Sequence, residues 1–319
     1  MDFDIPRDGG GAATLVAATS AMTERSGAPD LTAACWTVAG DAAPRRIDVS
    51  PVPISRRAEA ASAAGYRGLG FDHNDLVAVV AAVGWKELRS ILAANGLEHV
   101  ELGMLFNWFT TGPERALANA QRRMLRRAAA ELGACHLKVG GAIGATPPEE
   151  DVVAAEFHRL CDQFADQGCK VMIEPMPFAS FSSLGAATEL VTRVDHPHGG
   201  LMVDLWHVSR MGSTMAEIRS LPAHHIFGVE LNDAPRDPLP DLVQDTIDRR
   251  RLPGEGELDV AGFVEAIRFT GYAGHWGVDV MSIEHRARSV EEQARTSFDA
   301  AMRVLAPGHT TSPGALVHG

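Results

Sequence analysis

The sequence predicts an α/β protein built as a single (β/α)8 barrel, and three observations carry that prediction. Short apolar runs alternate with amphipathic stretches between residues 31 and 305; eight of the runs read as strands; and each of the last four contains an acid, Glu174 in VMIEPMP, Asp204 in LMVDLWH, Glu230 in IFGVELND and Asp279 in HWGVDVMS. Strand and helix alternating along one chain imply a parallel sheet with crossover helices, and eight such units close into a barrel. A doubly wound open sheet is the alternative architecture, but no G-x-G-x-x-G follows any strand candidate.

The first four strands are expected in LTAACW (31–36), YRGLGF (66–71), HVELGML (99–105) and CHLKVGG (135–141). Helical patterns fill the gaps, and PISRRAEAASAAG, WKELRSILAANG and PERALANAQRRMLRRAAAELG each end in the glycine expected of a helix C-cap. The longest connection, roughly residues 232 to 274, separates the last two strands and would lie over the strand C-termini, where barrels assemble their sites. Residues 1–30, rich in Gly, Ala, Ser and Thr, are expected to be a weakly ordered extension and 306–319 a flexible tail around a 31–305 barrel.

Composition narrows the function. A formal net charge of −12 argues against nucleic acid or an anionic membrane as partner, leaving small molecules. No run approaches the roughly 18 apolar residues of a membrane span, no signal or transit peptide is visible, and the four cysteines form no CxxC pair, so a reduced cytoplasmic protein is expected.

Any single strand-end acid reads better as a helix N-cap or a solvated strand end than as a ligand. Four at matching positions instead suit one divalent metal ion, because a buried, unpaired carboxylate is costly and a cation removes that cost. The set Glu174, Asp204, Glu230 and Asp279 is all oxygen, which favours Mn²⁺ or Mg²⁺, with Co²⁺ or Zn²⁺ also able to bind. His207, three residues past Asp204, would stand close to that ion or to the substrate.

On these residues the chain resembles the xylose isomerase-like TIM barrel superfamily, the sugar phosphate isomerase/epimerase group, over roughly residues 31 to 305. The resemblance places the fifth-strand metal Glu at Glu174, a D-x-x-H pair at Asp204 and His207, a substrate-binding Arg at Arg236, and a G-E-G loop at Gly254, Glu255 and Gly256. Two positions depart from the pattern: Glu230 stands where most members carry His, and Asp279 where most carry Glu. What the resemblance implies is a metal-dependent isomerase or epimerase acting on a carbohydrate-like keto-sugar or cyclitol, with Glu174 and Asp279 as the acid/base pair on opposite sides of the substrate. Elimination to a dehydratase or lyase product is the alternative exit from the same chemistry, and related barrels commonly pair as homo-oligomers. An endonuclease IV-like enzyme is disfavoured by the acidic charge and by Glu230 at a histidine position, and a non-catalytic sugar-binding barrel by the retained Glu174, Asp204, His207 and Arg236.

Further substrate contacts are expected from Trp36 after the first strand, and from Asp72, His73, Asn107 and Trp108 after the second and third. Lys138 in the fourth strand is a candidate if it faces the interior rather than, as strand lysines commonly do, outward. Arg249, Arg250 and Arg251 read as a solvated helix face, with phosphate or carboxylate binding as the other reading.

Overall fold

The computed structural model describes residues 29–143 and 148–307, so the two terminal segments expected to be weakly ordered fall almost wholly outside the described residues. Eight parallel strands close into one barrel in sequence order: β1 (Leu31–Ala33), β2 (Gly68–Asp72), β3 (His99–Leu105), β4 (His136–Val139), β5 (Lys170–Ile173), β6 (Gly199–Asp204), β7 (Ile226–Leu231) and β8 (Trp276–Val278). The seam is made by β1 and β8, with Leu31 opposite Trp276 and Ala33 opposite Val278. No helix among the described residues is long and apolar enough to cross a membrane.

Strand parity sets what faces the barrel interior. In β3, His99 and Glu101 border the internal cavities while Val100 and Leu102 join the apolar core. In β4, His136 and Lys138 border the cavities while Leu137 and Val139 pack in the core. Side chains alternate between faces along a strand, so the apolar parity meets the helices and the polar parity lines the interior. Lys138 therefore points inward.

The helices end as their glycines predict. Ile54–Ala64 stops at Gly65 and Gly112–Leu132 at Gly133, both left-handed. The long connection from β7 to β8 carries helices Leu242–Asp248 and Val260–Thr270. Just past the first of them, isolated antiparallel bridges pair Arg249 with Ser282 and Arg251 with Asp233, and turns and bends carry the chain on to the second.

Candidate active site

The four strand-end acids converge at the C-terminal mouth of the barrel. Glu174 lies one residue past β5, Asp204 closes β6, Glu230 is inside β7 and Asp279 follows β8. All four are buried, Glu230 completely. Ligand atoms of Glu174, Asp204 and Glu230 all lie within 4.8 Å of one another. Asp279, expected as the fourth ligand, is not in that group; its Oδ2 is held 3.0 Å from Arg250 Nη1.

Arg250 organises one side of the site. Its fully buried guanidinium donates from Nη1 to Asp204 Oδ2 at 2.9 Å and to Asp279 Oδ2, and from Nε to Thr246 Oγ1 at 3.0 Å, while Nη2 lies 3.2 Å from His207 Nε2. Its cation also sits 5.4 Å from the ring centre of buried Trp206. This corrects the reading of the three arginines as a solvated helix face. The helix stops at Asp248, and in the extended stretch that follows Arg249 and Arg251 remain partly exposed while Arg250 turns inside.

Lys138 organises the other side, its Nζ lying 2.6 Å from Glu230 Oε1 and 3.2 Å from Glu101 Oε1. Glu101 was not foreseen as a site residue; the inward parity of H-V-E-L-G was the signal that could have found it. Asp204 also caps helix Leu205–Arg210, accepting from the His207 backbone N–H at 2.8 Å, and accepts from Asn232 Nδ2 at 2.6 Å. His207 Nε2 approaches Glu174 Oε1 at 3.3 Å.

Five buried carboxylates thus meet two cations. Burial pushes Glu230, Glu101 and Asp279 above the ordinary carboxylate range, against the pull of Lys138 on the first two and of Arg250 and Lys138 on the third. Burial also acts to raise Asp204, but Arg250 and His207 hold it low. Lys138 is driven well up by Glu101 and Glu230 despite its desolvation. The site is short of positive charge, and three buried oxygens, Glu174 Oε2, Glu230 Oε2 and Asp279 Oδ1, have no hydrogen-bond partner. A divalent cation fits on both counts.

A cavity of about 290 Å³ opens above this floor, and Trp36, Asp72, Lys138, Glu174, His207 and Asp279 line it. Five expected contacts lie elsewhere. His73 starts helix His73–Ala94 and meets Asn74 at 2.9 Å; Arg236 is exposed; and exposed Glu255 pairs with Arg303 at 3.1 Å. The G-E-G turn instead wraps the Asp233 carboxylate, which accepts the N–H groups of Gly254 at 3.1 Å, Gly256 at 2.8 Å and Leu258 at 2.9 Å. A Cβ on Gly256 would come within 2.4 Å of Asp233 Oδ1, so the turn requires glycine there. Trp108 is core, donating to the Gly140 carbonyl at 2.9 Å and packing on Phe109, and the Asn107 carbonyl and Oδ1 bond Thr110 and Ile143.

A parallel eight-stranded barrel with a carboxylate-rich centre at its C-terminal mouth defines the general class. The chain belongs to the xylose isomerase-like TIM barrel family, whose model matches residues 58–305. Among curated proteins it is 26% identical over 282 residues to 3-dehydroshikimate dehydratase of Pseudomonas putida, covering 82% of this chain and 43% of that protein. It is also 26% identical over 172 residues to inosose isomerase of Halalkalibacterium halodurans, covering 51% of this chain and 60% of that one. The chain thus spans less than half the length of the dehydratases it matches. Among solved structures it resembles the IOLI protein with a binding zinc atom, at TM-score 0.75 and 15% identity over 88% of this chain and 99% of that one. D-psicose 3-epimerase with D-tagatose from Clostridium cellulolyticum H10 aligns at TM-score 0.67 and 14% identity over 86% and 99% of the two chains. These structural likenesses establish the fold; the named relatives are enzymes.

Proposed function

We propose that this chain is a divalent-metal-dependent isomerase or epimerase that moves a proton on the carbon beside the carbonyl of a keto-sugar or keto-cyclitol. The observation that carries the reading is the unpartnered, buried Glu174 Oε2 in a cavity-lining carboxylate whose other oxygen is 3.3 Å from His207 Nε2. Glu174, Asp204 and Glu230 would hold the metal, Mn²⁺ or Mg²⁺ by donor type, and Asp279 would stand at its edge. When bound, the ion supplies positive charge against the negative charge that grows on the substrate oxygen.

The remaining work falls to the chain's own residues. Glu174 removes the α-proton, and the adjacent His207 Nε2 offers a second place to hold it. Arg250 fixes Asp279 through one oxygen and leaves Oδ1 free to return a proton from another direction. Lys138 stands between Glu230 and Glu101 and offsets their mutual repulsion. The reaction class, though not the residue roles, is supported by the name of a curated relative, an inosose isomerase.

A second reading, elimination after the same proton removal, is favoured by the two dehydratases, which match 82% and 76% of the chain. Turnover of keto-polyols in deuterated water separates the two. An isomerase or epimerase returns a saturated product carrying solvent deuterium at the α-carbon, and a lyase releases an ultraviolet-absorbing enone. Chelation should abolish either activity and added Mn²⁺ restore it. Glu174→Gln should lower kcat by about 10²–10⁴-fold at unchanged melting temperature; turnover that survives this substitution removes Glu174 from the chemistry.

A further inference from the structure

The proton transfer uses only the floor of the cavity, and the walls above it have a different chemistry. Trp36, Met104, Phe106, Phe178, Val243 and Met281 face the same space. Met104, Phe106, Phe178 and Val243 are only partly buried, so the free protein presents an apolar surface to water inside the pocket. Beyond the floor, the lining side chains that carry polar groups are Thr246, whose hydroxyl is engaged by Arg250 Nε, Cys35, whose thiol faces Asp75 Oδ2 at 3.9 Å, Trp36, Arg45 and Asp72. The wall is also built rather than incidental: a Cβ on Gly140 would fall 2.3 Å from the Phe106 ring, so the bare glycine is what seats that ring. Phe178 joins wall to floor, its ring centre 5.9 Å from that of His207.

An unsubstituted monosaccharide carries hydroxyls around its whole rim. Against these walls a hydroxyl buried out of reach of Arg45, Asp72 and the Trp36 indole would lose water without gaining a partner, at a cost of about 1–3 kcal/mol. An apolar group placed there gains about 25 cal/mol for each Å² removed from water. Three aromatic rings favour a flat partner in stacked or edge-on contact, and thioether side chains adapt to such rings.

We infer that the substrate is a keto-sugar or keto-cyclitol bearing an aromatic substituent, its carbonyl-bearing ring on the charged floor and its aryl group against Phe106, Phe178 and the methionines. The polar half of this inference rests on the proposed function; the aromatic half rests on the walls alone.

Calorimetric binding of methyl and phenyl 3-keto-glucosides and of p-cresol to the Mn²⁺-loaded full chain, with turnover of both glycosides, tests it. The phenyl glycoside should bind at least about tenfold more tightly than the methyl one, a difference that a single buried ring supplies. Phe178→Ala should bring the ratio toward one, and Phe178→Leu, which keeps the apolar bulk but not the ring, should reduce it if the alanine variant does not fold. Equal affinities, or a preference untouched in both variants, would overturn the inference, and methyl glycoside turnover alongside that result would leave the proposed function standing. If neither glycoside binds or turns over while p-cresol binds and is lost on substituting Phe178, the keto-sugar reading falls and the aromatic subsite stands. If p-cresol and both glycosides all fail to bind, both fall.

Discussion

At the C-terminal mouth of the barrel five buried carboxylates share Lys138 and Arg250, whereas at the N-terminal mouth His99, His136 and His275 meet without a salt bridge among the described residues, Asp30 acting on His275 only against the larger effect of its burial. Two of the histidines meet directly, His99 Nε2 lying 3.1 Å from His136 Nδ1, while the His275 ring stacks on His99 at 4.0 Å and its Nδ1 has no hydrogen-bond partner. The cavity beside them measures about 10 Å³, at the lower limit for a single water, against about 290 Å³ above the acids. Both ends bury polar side chains. Only one combines an excess of like charge, oxygens without partners and room for a molecule, and that combination, rather than buried polarity as such, marks a site.

Breaking the upper end should cost most. Arg250→Met leaves Asp204 and Asp279 buried without their shared cation and should destabilise the fold by about 3–5 kcal/mol in denaturant unfolding. A change below about 1 kcal/mol would mean that the two carboxylates are not held by this guanidinium.

Filling the upper end should stabilise it by a smaller amount. On the proposed metal site, Mn²⁺ at a hundred times its Kd adds about 2.7 kcal/mol, read as a rise in melting temperature over the chelated protein. Glu230→Gln should diminish the rise and His99→Phe should keep it. A rise lost in His99→Phe, or unchanged in Glu230→Gln, would place the ion elsewhere.

The lower end should show itself through acid alone. Burial drops His99 from 6.5 to about 2 and His136 to about 3, so both rings stay neutral in the folded protein. Below pH 6.5 the unfolded chain binds protons that the folded chain refuses, so stability falls as pH falls. Buried His99 contributes up to about 1.4 kcal/mol per pH unit, and half-buried His136 less. His99→Phe should flatten the slope between pH 6.5 and 4.5; an unchanged slope would assign the acid sensitivity to other groups.

Much of this was legible in the chain. The alternation of apolar runs and amphipathic helices gives eight strands in order, and each of the last four acids reaches the same mouth because parallel strands all point their C-terminal ends one way. What stayed hidden depended on local geometry finer than pattern. Three consecutive arginines read as a helix face because nothing in RRRL says that the helix has already ended at Asp248, and only the extended turn that follows sends Arg250 inward. Lys138 carries its signal in parity, between Leu137 and Val139, which pack against the outer core. The G-E-G turn has the residues of a ligand loop, yet its amides are spent on Asp233, a side chain of the chain itself.

Arg250 belongs to a connection, not to a strand, yet it grips Asp204 on β6 and Asp279 beyond β8 while its backbone N–H bonds the Met281 carbonyl at 3.0 Å. A guanidinium with no exposed surface cannot come loose while those strands remain paired. The amides of Arg250 and Arg251 should accordingly exchange their hydrogens on the slow clock of the whole barrel, unlike those of an ordinary surface loop. Closing the last seam and seating Arg250 are thereby coupled, because a barrel opened at β8 loses both Asp279 and the Met281 carbonyl that hold that arginine over the site.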